Sequence, residues 1–185
     1  DFSDTRQGDM WLVKSKSVWM QGRFGFAKHS THSFLEAIAI GGPFLHGNTL
    51  VIGTREGEVL WNSGNILDRM NKTFETAFSD TERVKASLRM TEKNIIHPDV
   101  FTRGIDVELP GGIKLIIDRF DEWLGLSIRQ EHEIDGGQDG ICGNYNDKKA
   151  DDSLKALNSR MRVLVQKEES LFHIGFAKWS ARHKQ

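Results

Sequence analysis

The feature that most constrains this chain is a pair of neighbouring segments with strict apolar alternation, Ile113–Phe120 (IKLIIDRF) and Trp123–Gln130 (WLGLSIRQ). Ile113, Leu115 and Ile117 fall on one face of the first; Leu124, Leu126 and Ile128 fall on one face of the second. Half-buried antiparallel strands produce this period of two. Pro110-Gly111-Gly112 turns the chain into the first segment and Asp121-Glu122 turns it into the second.

The same pattern recurs along the chain. Asp9–Lys14 and Val18–Arg23 are rich in aromatic and β-branched residues around a short Ser-Lys-Ser break, and they read as a hairpin. In the second of them Trp19 and Gln21 point one way, Val18 and Met20 the other. Phe34–Ile40 fits helix or strand by period, and the Gly41-Gly42-Pro43 stop favours strand. Thr49–Ile52 and Glu58–Trp61 flank a Thr54–Gly57 turn, and Val84–Met90 and Ile105–Leu109 alternate again. Ile66–Ser79 suits a weak helix or an extended segment. Asp152–Leu157 is expected to open a short helix capped by Asp151 or Asp152, and Arg162–Gln166 returns to strand-like alternation. The sum is a mainly β protein, an antiparallel β-sandwich-like domain of about ten short strands with one or two short helices. It is expected to span 1–177, with a basic tail over 178–185.

Composition narrows the classes. At 185 residues the chain can bury a real core, and a net charge of −1 argues against general affinity for nucleic acid or anionic membrane. No apolar run approaches the roughly 20 residues of a membrane span. The single cysteine, Cys142, rules out an internal disulfide. The amino terminus lacks the basic and apolar regions of a signal peptide, which leaves earlier removal of one open.

The densest chemistry lies in Gly136–Asp152, GGQDGICGNYNDKKADD. Its four glycines mark backbone that turns tightly or approaches something closely. Asn144, Asn146 and residue 148 alternate, so a tight loop would point successive oxygens inward, with Asp151 and Asp152 supplying charge. Ca²⁺ takes six to eight such oxygens at about 2.3–2.6 Å. Asn- and Asp-rich turns also form without metal, because these side chains bond their own backbone.

DGICGNYND followed by ADD resembles the signature of the von Willebrand factor type D domain. GDMWLV is similar to an early strand of that family, and VELPGGIKLIIDRF to the paired strands before the signature. QGRFG, AIAIGGPFLHGNTLVIG and LWNSGNIL resemble its cysteine-poor branch in unicellular algae and other protists. The resemblance runs from about Asp9 to about Leu171. It implies calcium held by Asn144, Asn146, the Lys148 carbonyl, Asp151 and Asp152. Asp139 stands where the family has the first signature cysteine, so disulfide-linked multimerisation does not carry over. The family's opening segment is not evident before Asp1, and the chain is expected to start one strand late.

Other candidates are weaker. A cysteine between Ile141 and Gly143 beside apolar strands is expected to be buried and inert. His29 and His32 have a spacing that metal sites use, without a second ligand cluster. Asn71-Lys72-Thr73 fits the glycosylation sequon. Asp121-Glu122 and Glu168-Glu169 read as solvent-facing pairs. No nucleophile elbow, P-loop or dinucleotide fingerprint appears, so an enzyme is not expected. Most tryptophans should be core, and Trp179, in a basic segment, is expected at an interface.

The resemblance, together with these features, implies a non-catalytic structural or assembly subunit, its partners being other protein subunits of a lumenal or extracellular complex. Taken with the resemblance, one setting is the thylakoid lumen, peripheral to a photosystem or another photosynthetic complex. The alternatives are a secreted calcium-dependent adhesion or matrix module, and a ligand-binding or hydrolytic β domain with a deep pocket.

Overall fold

The computed structural model describes residues 7–26, 32–55, 57–68, 70–90, 103–120, 122–134, 136–145, 156 and 161–172. These form two antiparallel sheets that share one core. The chain first lays down a meander of β1 (Gly8–Ser15), β2 (Trp19–Phe26), β3 (Ser33–Gly41), β4 (Leu50–Gly53), β5 (Val59–Trp61) and β6 (Gly64–Asn65). It then crosses to a second meander of β7 (Thr73–Ala77), β8 (Arg83–Met90), β9 (Arg103–Leu109), β10 (Ile113–Arg119) and β11 (Leu124–Arg129). Finally β12 (Gln138–Asp139) returns to the free side of β1. The sheet orders are β12-β1-β2-β3-β4-β5-β6 and β11-β10-β9-β8-β7.

The alternation seen in the sequence becomes the inner faces. Ile113, Leu115 and Ile117 on β10 are buried, as are Ile105 and Val107 on β9 and Val84 and Ala86 on β8. They meet Ile38, Ile40, Leu50, Ile52 and Val59 from the first sheet in one cluster. Fully burying each such aliphatic side chain contributes about 1.5–3 kcal/mol, so this cluster dominates the stability. Arg119, at the end of β10, is only 6 % exposed and donates from Nη2 to the Glu58 carbonyl at 3.3 Å. That bond ties the second sheet to the β4–β5 connection of the first.

Two local irregularities shape β1 and β2. The register shifts between Trp11 and Val13, so Leu12 and Val13 both enter the core although they are adjacent. A bulge does this by adding one residue to one strand. A second shift falls between Arg23 and Phe24.

Strand is the outcome for Phe34–Ile40, as expected, and Ile66–Ser79 resolves to the extended alternative at β7. Of the expected Asp152–Leu157 helix only Ala156 is among the described residues, and it is helical. Elsewhere among the described residues, helical backbone is confined to single 3-10 turns at Pro43–Leu45, Pro110–Gly112 and Lys167–Glu169. Arg162–Gln166 makes one antiparallel bridge, Met10 to Leu164, in place of a full strand.

The outer faces of the two sheets differ in chemistry. On the second sheet Lys85, Glu108 and Lys114 lie in register across β8, β9 and β10, all exposed. Arg89 reaches Asp106 and Asp118, each at 2.9 Å. Burial works against its charge, yet the two carboxylates outweigh this and raise its pKa. Gly104 makes room: a Cβ there would lie 2.7 Å from the Arg89 guanidinium. On the first sheet the outer row is Trp11, Gln21, Ala39, Val51 and Leu60, and the first four of these are buried.

Candidate functional site

The glycine-rich corner lies against the first sheet. β12 pairs Gln138 with Ser15 and Asp139 with Lys14. Beyond it, Ile141 N donates to Trp11 O and Cys142 N to Leu12 O, both at 3.0 Å. The corner therefore satisfies the backbone of the β1 edge, and the edge needs that satisfaction to stay buried. Gly140 allows the approach: with φ at 140°, a Cβ would sit 2.3 Å from Leu12 O. Gly143 (φ 89°) and Tyr145 (φ 60°) then turn the chain away through left-handed conformations.

Of the five expected calcium ligands the structure places one. Asn144 follows directly after this turn and is half-buried, with its Oδ1 inaccessible to solvent. A buried amide oxygen is donor chemistry that suits a hard cation. Asn146, Lys148, Asp151 and Asp152 lie outside the described residues, as do Trp179 and the 178–185 tail. Among the described residues, no three His, Cys, Asp or Glu side chains converge in a way that would hold a metal ion.

Cys142 departs from expectation, because the residue is exposed and not buried. Its amide is held on β1 while the residue stays at the surface. The protein around the corner still penalises the thiolate by desolvation and pushes the thiol up to about 11. Exposure and shift pull in opposite directions; exposure governs access, and the shift governs how much thiolate is present. A raised thiol is protonated, and its folded-state preference is kept below the ordinary thiol range and lost as pH rises through the raised value. We expect native Cys142 to react with iodoacetamide at pH 8 about ten- to a hundredfold more slowly than the urea-unfolded chain, since thiolate is the nucleophile. The native rate should climb steeply between pH 9 and 11, where the two pKa values lie. Equal rates in the two states at pH 8 would show that the corner does not suppress ionisation.

The remaining candidates separate in space. His32 is exposed, and His29 lies outside the described residues. Glu168 and Glu169 are exposed, as expected, but Glu169 also pairs with Lys14 at 2.8 Å. The Lys14 hydrogen bond holds its carboxyl below the ordinary range. Glu122 is exposed, and Asp121 lies outside the described residues. Gly42 makes a tight turn against Ser17 O, as a glycine at φ 111° allows.

The sequence reading missed the principal feature of the outer face, a strap formed by residues 161–172. Val163 O accepts from Trp11 N, and Val165 N donates to Asp9 O, both at 2.9 Å. Gln21, fully buried, clamps the strap backbone: its Nε2 donates to Glu169 O at 2.7 Å, and its Oε1 accepts from Leu171 N at 2.8 Å. Phe172 packs on Ala37, Ala39 and Val51, with the Arg23 guanidinium 4.2 Å from its ring centroid. Arg23 is itself held by both Asp9 oxygens, at 2.7 and 2.9 Å. One signal was available: AIAI in β3 is apolar on both faces, as strands covered on both sides are.

The geometry thus gives a corner and a strap that complete the first sheet. Comparison of the sequence with models of known protein families gives no match, and comparison with curated proteins gives none.

Proposed function

We propose that this chain is a non-catalytic von Willebrand type D-like domain that acts as a structural or assembly subunit. It presents a rigid surface to other proteins of a lumenal or extracellular complex. A photosynthetic complex of an alga, with the domain in the thylakoid lumen, is the setting that the algal resemblance suggests. The observation that supports this reading is the use of the glycine-rich corner: its backbone groups close the β1 edge through Trp11, Leu12, Lys14 and Ser15. A segment built this way serves architecture, and the charged outer face of the second sheet is left for contact. Native cross-linking followed by affinity purification from the source cells tests it. The expected result is a reproducible set of protein partners in fixed ratio. Recovery as a stable free monomer would remove the reading.

A calcium-dependent adhesion or matrix module is the second reading, favoured by the buried Oδ1 of Asn144. On that reading Asn144 would contribute one oxygen, with Asn146, the Lys148 carbonyl, Asp151 and Asp152 supplying the others. An ion that binds only the folded chain stabilises it by about 2.7 kcal/mol at a hundred times its Kd. The melting temperature should therefore rise by several degrees in millimolar calcium over chelator, and Asn144→Ala should abolish most of the rise. Identical melting curves in calcium and chelator would eliminate this module.

A further inference from the structure

We infer that Asn71 is an N-glycan acceptor, and that the oligosaccharide it carries guards the exposed edge of the second sheet. The site is built by a turn. Asp68 Oδ1 accepts from Met70 N and Asn71 N, both at 2.8 Å, and Asp68 N donates to Asn71 O at 2.9 Å. These bonds, Asn71 first and then Met70, also hold the Asp68 carboxyl below its ordinary range. The turn leaves Met70 at 89 % exposure, with Asn71, Lys72 and Thr73 exposed behind it. The Asn71 side-chain amide is engaged in no hydrogen bond with the described residues. A glycan attached there projects into solvent without displacing any of their contacts.

What lies next to the turn gives the glycan a purpose. Thr73 begins β7, which lies at one edge of the second sheet, opposite β11. Lys72 O accepts from Leu88 N and Phe78 N donates to Glu82 O, both at 2.8 Å. Hydrogen-bonded pairs alternate along an antiparallel ladder. Phe74 and Thr76 therefore face β8, and the N–H and C=O groups of Thr73, Glu75 and Ala77 face outward. Such an edge templates pairing with another chain, and proteins block it with bulk or charge. Here a single charge, Glu75, sits in the middle of the edge, and the sequon sits at its start.

The transfer is a substitution at carbon. Asn71 Nδ2 attacks the anomeric carbon of a lipid-pyrophosphate-linked oligosaccharide. A C–N bond forms, the bond from that carbon to the pyrophosphate oxygen breaks, and the amide loses one proton to a base of the transferase. The lipid pyrophosphate leaves. Thr73 provides the hydroxyl that the transferase reads.

This inference rests on the extracellular arm of the reading above for its setting, and the test supplies that compartment directly. The 185-residue chain is secreted from a eukaryotic cell behind a signal peptide. The expected product carries one glycan, removed by peptide N-glycosidase. Asn71→Gln and Thr73→Ala should abolish it, and Thr73→Ser should retain it. Glycosidase treatment of folded wild-type protein should then raise its aggregation rate just below the melting temperature several-fold. Secretion of folded but unmodified wild-type chain overturns the acceptor assignment. Equal aggregation rates with and without the glycan overturn the guarding role. Both readouts use the wild-type chain, so a variant that fails to fold leaves them standing. A chain purified without partners would remove the assembly role and leave this result untouched.

Discussion

Gly140→Ala lowers the stability of the domain by about 2–4 kcal/mol, the sum of a strained left-handed alanine and the bonds lost in relieving it. The added Cβ meets backbone on every near side: Leu12 O at 2.3 Å, Leu12 C at 2.7 Å and Val13 Cα at 3.0 Å. No flexible side-chain end can yield, so the corner must lift from β1. That lifting breaks the bonds from Ile141 N to Trp11 O and from Cys142 N to Leu12 O. Gly137→Ala is the matched control. Its φ is also positive, at 80°, but nothing lies within 4 Å of the new Cβ, and its cost should stay near 1 kcal/mol. Urea unfolding at constant m reads the difference. Equal midpoints for the two variants would mean that the close approach to Leu12 contributes nothing.

Phe172→Ala should destabilise by about 3–5 kcal/mol, the usual loss when a buried phenyl is deleted. The ring is 6 % exposed and covers Ala37, Ala39 and Val51, so the cavity opens onto the outer face of the first sheet. Gln21→Leu attacks the same strap by another route. It leaves Glu169 O and Leu171 N without their side-chain partners and should cost about 1–3 kcal/mol. Because both residues anchor one segment, the double variant should lose less than the sum of the single losses. Hydrogen exchange checks the mechanism. Amides of Trp11 and Leu171 should lose protection in either variant, while Leu115 and Ile117 keep theirs relative to global unfolding. Full additivity, with strap amides still protected, would show that the strap is not a unit.

The inner faces were legible because a period of two is written directly into β8, β9, β10 and β11, with Pro110-Gly111-Gly112 marking the turn between β9 and β10. The corner at Gly136–Tyr145 was legible as tight backbone, although its place on β1 was not. That contact joins residues more than a hundred positions apart, and no local pattern encodes it. The bulge at Leu12 was also hidden, since strict alternation assigns Val13 to the face opposite Leu12. Gln21 illustrates the third gap. Alternation put it on the outer face, where polarity normally means solvent, but the strap covers it and satisfies its amide. Cys142 is a fourth case: its apolar neighbours suggested burial, whereas the residue is exposed although the protein around it still desolvates the thiolate. The calcium set remains a reading of spacing and resemblance, with Asn144 its one placed member.

The strap also sets a schedule for biosynthesis. The six strands of the first meander leave the ribosome long before Leu171 and Phe172, the residues that cover Ala37, Ala39 and Val51. Until those two residues emerge, the nascent meander carries a bare oily wall and an open edge, the kind of surface that draws chaperones or neighbouring chains. A stalled chain ending before residue 161 should thus be held by chaperones, whereas one that has exposed residues 161–172 can seal the wall.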